Sequence, residues 1–224
     1  MLASNLLPSG ASAWTPRNLG STLIGWFESD FGVALSGSNV DGWLDQTGNN
    51  NTLLASGSAR PTFNASSNAG FPEISFNGTS NIMVGTSGGA ITTRSAFAVL
   101  SSIGANAATA SFVGSCRLYL KLLLANQLTL SITGQPTSLQ TITTPSQVGC
   151  VINAANNVDF YLSTTLSNSV LGSSYSDTGL TLGADASVSQ FAQFGIQSLV
   201  LCDTALGGGN VALLQAYFTR KYGV

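Results

Sequence analysis

The chain contains no histidine. That removes Ser-His-Asp and Cys-His catalysis, histidine-bearing zinc sites and the usual proton shuttle near neutral pH. Charge is scarce too. Asp, Glu, Lys and Arg make up 7 % of the residues, against roughly 25 % in ordinary soluble domains. No basic run exists, so the electrostatic footprint of nucleic-acid binding is missing and no nucleic-acid partner is expected. No segment offers 18 consecutive apolar residues, so no membrane insertion is expected. The N-terminal MLASNLLPSGASAW has no positive n-region and no long h-region, which argues against a secretory signal. The three cysteines, Cys116, Cys150 and Cys202, match no zinc or CxxC spacing. Each lies in or beside an apolar run, as buried free thiols do. One disulfide plus an odd thiol, or an intermolecular bridge, is the alternative.

What is present is apolar and uncharged-polar. Hydrophobic residues reach 44 % and glycines number 25, which suits a packed core and excludes disorder. A surface so poor in charge has little electrostatic protection against association. It suits a protein packed in an assembly, and a homo-oligomer is expected. A secreted β-protein with a Ser/Thr-rich surface is the alternative reading of the same composition.

Two-residue alternation dominates the chain. In Gln127 to Thr133, Leu128, Leu130 and Ile132 face one way and Thr129 and Ser131 the other, the pattern of an antiparallel sheet with one buried face. About a dozen strands are expected at 8–12-residue spacing, which means a β-sandwich. Among them are Thr22–Phe27, Val40–Asp45, Pro72–Phe76, Ser95–Ser101, Val148–Asn153 and Val158–Ser163. Phe191–Cys202 is the longest and reads as central. Asp30–Asn39 reads as turn-rich and Ser167–Thr178 as a loop. Residues 1–20, with Pro8 and Pro16, form an extended arm, and residues 21–224 form one domain. The chain ends in a helix over about 210–222. Asn210 is its expected N-cap, Val211, Leu214 and Phe218 form its apolar stripe, and Gly223 is its C′ residue. So short a helix is stable only if that stripe docks on the sheet.

Four segments together resemble the laminin-G-like, concanavalin A-like jelly-roll domains common in tailed-bacteriophage virion proteins and bacterial surface proteins. They are LIGWFESD (Leu23–Asp30), VDGWLDQTGNNNTL (Val40–Leu53), RPTF with GFPEISFNGTSNIMV (Gly70–Val84), and FGIQSLVLCDTALGGGNVALLQAYFTRKYG (Phe194–Gly223). The resemblance implies an all-β antiparallel sandwich with a short C-terminal α-helix. Members of the family bind sugars or proteins, accompany enzymes or decorate surfaces, and many bind calcium near a sheet rim.

The chemistry-bearing residues are few. The jelly-roll glycosidase motif E-x-D-x-E is absent, and Glu28 and Asp30, two apart, fall where a strand enters a turn. The chain is therefore expected to be non-enzymatic. Asp41 and Asp45 flank Trp43 before the Gly/Asn turn QTGNNN, where carboxylates and carbonyls suit Ca²⁺. The competing reading is that Asp45 caps that turn. Asp185 is a weaker candidate of the same kind. Trp26 and Trp43 read as core rather than as sugar platforms. Trp14 reads as an anchor against this domain or a partner. The function expected from these observations is a structural component of a tailed-phage virion surface, in the capsid decoration or the tail and fibre. It would be made in the host cytoplasm and held by other virion proteins. The alternative is a carbohydrate-binding module or adhesin for host glycans, with or without calcium.

Overall fold

The computed structural model describes residues 13–86, 94–104, 110–115, 118–122, 127–131, 139–141, 143–152, 157–171, 180–184 and 191–224. In chain order the strands are β1 (Leu23–Glu28), β2 (Val33–Ser36), β3 (Asn39–Trp43), β4 (Leu53–Leu54), β5 (Thr62–Asn64), β6 (Glu73–Asn77), β7 (Met83–Gly85), β8 (Ser95–Ile103) and β9 (Ala110–Ser115). They continue as β10 (Leu118–Leu122), β11 (Gln127–Ser131), β12 (Leu139–Thr141), β13 (Ser146–Ile152), β14 (Asn157–Leu162), β15 (Thr165–Leu171), β16 (Thr181–Leu182) and β17 (Gln193–Cys202). Helix α1 (Gly208–Tyr222) follows.

The strands pair antiparallel, in two layers. In one layer β17 is the axis. Its second half pairs with β1 and its first half with β6, while β8 runs along its other edge. β13, β14 and β15 extend that layer beyond β8. The other layer runs β2, β3, β4, β7, β16, β9, β10, β11, β12. β5 pairs with both β3 and β6, so the layers are joined along one side and curl into a half-barrel. This is the antiparallel β-sandwich that the alternation implied, with the short C-terminal helix expected from the stripe of Val211, Leu214 and Phe218.

The pleat explains the two cores. Phe194, Ile196, Leu199 and Leu201 of β17, with Phe76 of β6 and Phe27 of β1 from the same layer, pack with Trp43 and Leu53 of the opposite layer. The rings of Phe76 and Phe194 stack at 4.6 Å between centroids, and Phe27 meets Trp43 at 5.5 Å. Val200 and Cys202 project from the other face, with Phe97, Val99 and Val151. On them sits α1, burying Val211, Leu214, Tyr217, Phe218 and Tyr222. Burying a side chain of this kind stabilises by roughly 1.5–3 kcal/mol, so docking supplies what a free helix of this length lacks.

Three expectations are corrected. α1 begins at Gly208 with Gly207 as N-cap and no side-chain cap. Asn210 therefore lies inside the first turn, and the Gly207 carbonyl accepts from the Val211 N–H at 3.1 Å. Thr165–Leu171, read mostly as loop, is strand β15, paired with β14 across a register shift at Phe160/Tyr161. Its polar centre, Ser-Asn-Ser, hides the alternation. The turn-rich Asp30–Asn39 contains strand β2, a hairpin partner of β3. At the C-terminal end of α1, Gly223 takes φ 71° and its N–H closes on the Thr219 carbonyl, as expected of a C′ glycine. Cys150 and Cys202 are buried free thiols. Cys116 lies outside the described residues.

Candidate functional site

The site grows from one buried carboxylate. Asp45 follows β3 and is 6 % exposed. Its Oδ1 accepts the Trp26 N–H of β1 at 3.1 Å and the Thr47 N–H at 2.9 Å. Its Oδ2 accepts the Thr47 hydroxyl at 2.6 Å and the Asn51 N–H at 3.3 Å. Asp45 thus holds the turn after β3 in shape and staples it to β1. Gly48 at φ 88° and Asn50 at φ 59° make the reversal, conformations that glycine and asparagine adopt most readily. The Asn49 and Asn51 amides extend the staple by donating to the carbonyls of Leu23 and Ile24.

Against this turn lies the 3-10 segment Pro16–Thr22, with Pro16 and Leu19 buried. Arg17 reaches across: Nη2 donates to the Gln46 carbonyl at 3.0 Å, and the guanidinium sits 6.0 Å from the Trp26 ring centroid. The segment, β1 and the turn enclose a cavity of about 350 Å³ lined by Arg17, Ser21, Trp26, Gln46, Thr47 and Asn49, with Gly20 and Leu23. Trp26 and Leu23 are buried and Arg17, Ser21 and Asn49 are exposed, so apolar groups form the floor and polar groups the rim. The volume lies at the lower end of the roughly 300–1,000 Å³ range of small-ligand sites, and the lining is more polar than the mostly apolar walls usual there. Among the described residues, four buried side-chain polar atoms have no hydrogen-bond partner: Trp26 Nε1, Gln147 Oε1, Gln197 Oε1 and Asp203 Oδ1. Trp26 is the one that also lines this cavity.

The other residues singled out in the sequence fall elsewhere. Asp41 stands apart from Asp45, with no partner in common. Its Oδ2 accepts from the Ser36 hydroxyl and its Oδ1 pairs with Arg60 at 2.8 Å. The Ser36 bond first, then Arg60, hold its carboxyl below the usual carboxylate range. Among the described residues no group of three or more His, Cys, Asp or Glu is placed to hold a metal ion, and Asp185 lies outside those residues. Trp43 is fully buried in the inter-layer core, and its Nε1 donates to the Glu28 carbonyl. Trp14 packs edge-on against Tyr217 at 6.3 Å, and Arg220 donates to its carbonyl at 2.8 Å. Glu28 and Asp30 share one lysine: Lys221 of α1 lies 3.0 Å from Glu28 and 3.1 Å from Asp30. Sequence reasoning missed Arg17 and Asn49. The QTGNNN turn was visible, but nothing in the chain tied it to PRNLG, 29 positions from Gln46.

No protein-family model matches the chain, and no curated protein matches it in sequence. Solved structures do resemble it. Trypanosoma rangeli sialidase matches with a TM-score of 0.61 and 15 % identity over 96 % of this chain and 35 % of the sialidase. The binding domain of Paraclostridial Mosquitocidal Protein 1 matches at 0.60 and 11 % identity, over 91 % of this chain and 53 % of that one. The receptor-binding domain of botulinum neurotoxin type G matches at 0.64 and 8 % identity, over 88 % and 51 %. The chain thus spans about a third to a half of the solved chains it matches. At such identities the likeness shows the shared β-sandwich fold. It also corrects one expectation, that of a non-enzymatic chain. The solved chains include a sialidase, so this architecture occurs in enzymes as well as in binding domains. Lack of histidine and of one glycosidase motif removed particular reaction routes, which is less than removing catalysis.

Proposed function

We propose that the chain is a recognition module that binds glycans in the Trp26 cavity. The observation that carries this reading is the Trp26 indole N–H, buried without an acceptor in a residue that lines a polar-rimmed cavity. A buried donor left unpaired costs roughly 1–3 kcal/mol, and a small turn of the indole toward the cavity would offer it a sugar hydroxyl as acceptor. The toxin binding domains of like fold support the reading at the level of architecture. The test is a glycan panel followed by the ¹⁵N-indole resonance of Trp26, with and without calcium. Binding should move that resonance, and Trp26→Phe should lose the signal and at least tenfold in affinity. A resonance unmoved by every glycan that binds would refute the site.

A second reading has its own support. The four segments that resemble tailed-phage laminin-G-like domains, together with the 7 % charge content, favour a virion surface component held by other virion proteins. Leu54 of β4 and Val84 of β7, neighbours in register, are 48 % and 46 % exposed, as a face awaiting a partner would be. Light scattering on the purified chain and mass spectrometry of intact particles decide it. Oligomers found in many copies per particle fit, and a monomer absent from particles does not.

A further inference from the structure

We infer that the ligand of the Trp26 cavity is an acidic sugar whose carboxylate sits on Arg17. The inference rests on the recognition reading above and narrows its ligand class. Its first ground is the charge of the lining. Arg17 is the one charged residue among the eight that line the cavity. The nearest carboxylates are committed elsewhere. Asp45 is buried and its two oxygens accept four hydrogen bonds from the turn and β1. Glu28 meets the Gln46 amide at 3.3 Å and pairs with Lys221 at 3.0 Å, a lysine it shares with Asp30. A neutral sugar would leave the site's one charge unanswered.

The second ground is geometric. The Arg17 guanidinium is fixed at one edge by the Gln46 carbonyl and lies near the Trp26 ring. Among the described residues its other N–H groups have no acceptor, although the side chain is held in place. A planar fork with one edge pinned is preorganised for a carboxylate, which it can meet through two parallel hydrogen bonds. The remaining rim groups, Ser21, Gln46, Thr47 and Asn49, are uncharged donors and acceptors suited to ring hydroxyls.

The test uses the purified full chain and a panel of immobilised glycans in which every carboxylate-bearing member has a methyl-esterified or neutral twin. The members bound should carry the carboxylate, and esterification should weaken binding at least tenfold. Arg17→Gln should abolish that difference, and Arg17→Lys should keep part of it, because it retains charge without the fork. Arg17 is exposed, so circular dichroism should be unchanged in both. Raising the salt should weaken binding of the acidic members alone. If the twins bind equally and Arg17→Gln changes nothing, the acidic class is overturned and the recognition reading stands. Sulfated members bound in place of carboxylated ones would overturn the carboxylate assignment. If no member binds and the Trp26 indole resonance never moves, both readings fall together.

Discussion

The phenol of Tyr217 donates its hydrogen bond to the carboxylate of Glu28, joining α1 to β1 across 189 positions of sequence. Tyr222 stands beside it, its hydroxyl 3.5 Å from the same carboxylate. Burial first, and then the charge of Glu28, raise both phenols well above the ordinary 10.0. A phenol raised in the folded state is favourable below its unfolded value, and its contribution is lost as the pH climbs above it. Burial likewise raises the Cys202 thiol from 9.0 to about 12. Stability should therefore begin to fall near pH 9 and fall more steeply above pH 10. Thermal melts from pH 7 to 11 should show this, and the double variant Tyr217→Phe, Tyr222→Phe should flatten the steep part. An unchanged slope in that variant would place the cause elsewhere.

Thiol chemistry should follow burial. In protein carrying Cys116→Ser, the two remaining cysteines, Cys150 and Cys202, are buried with raised pKa. The thiolate is the reactive form. Neither should react with a thiol reagent at pH 8 in native protein, and both should react in denaturant. Fast native labelling would contradict their placement.

Gly149 of β13 sits opposite Phe97 of β8, and a Cβ there would meet the Phe97 ring at 2.0 Å. Gly149→Ala should cost about 1–3 kcal/mol, as overpacking does, or roughly 2–4 °C of melting temperature per kcal/mol. Phe97→Leu should relieve part of that cost, giving a clear coupling in a double-mutant cycle. Strict additivity of the two changes would refute the contact.

Asp45→Asn puts an amide donor among four donors. Losing acceptors for buried N–H groups should cost about 1–3 kcal/mol. The turn also carries Gln46, Thr47 and Asn49, so ligand affinity should fall in the same variant. Arg17→Gln, in contrast, should lower affinity for acidic glycans and leave the melting temperature unchanged. That contrast separates the residue that builds the site from the residue that reads the ligand.

The fold was largely legible because its signals are local. Strand alternation around Leu128 and the 3-4 spacing of Val211, Leu214 and Phe218 each need only a short window. β15 was missed because Ser167, Asn168 and Ser169 carry no apolar period. Asn210 was misplaced as a cap because Gly207–Gly209 let the helix start early, and a backbone carbonyl alone suffices there. The cavity was not legible, since it joins Arg17 to a turn that Asp45 fastens to Trp26, 19 positions away. Only the fastened turn leaves a hint, an acidic residue before a run of Gly and Asn.

The place of β17 in the sheet has a consequence for the growing polypeptide. β1 and β8 lie on opposite edges of β17, yet both leave the ribosome long before it. Until Gln193–Cys202 is made, those two strands lack their shared neighbour and Phe27, Phe76 and Leu100 lack the wall they pack against. Long-range pairing of this kind is slow, and unpaired edges invite other chains. β17 is therefore the keystone: synthesis must reach it before the sandwich can close, and any nascent chain stalled short of it would present the open edges of β1, β6 and β8 to its neighbours.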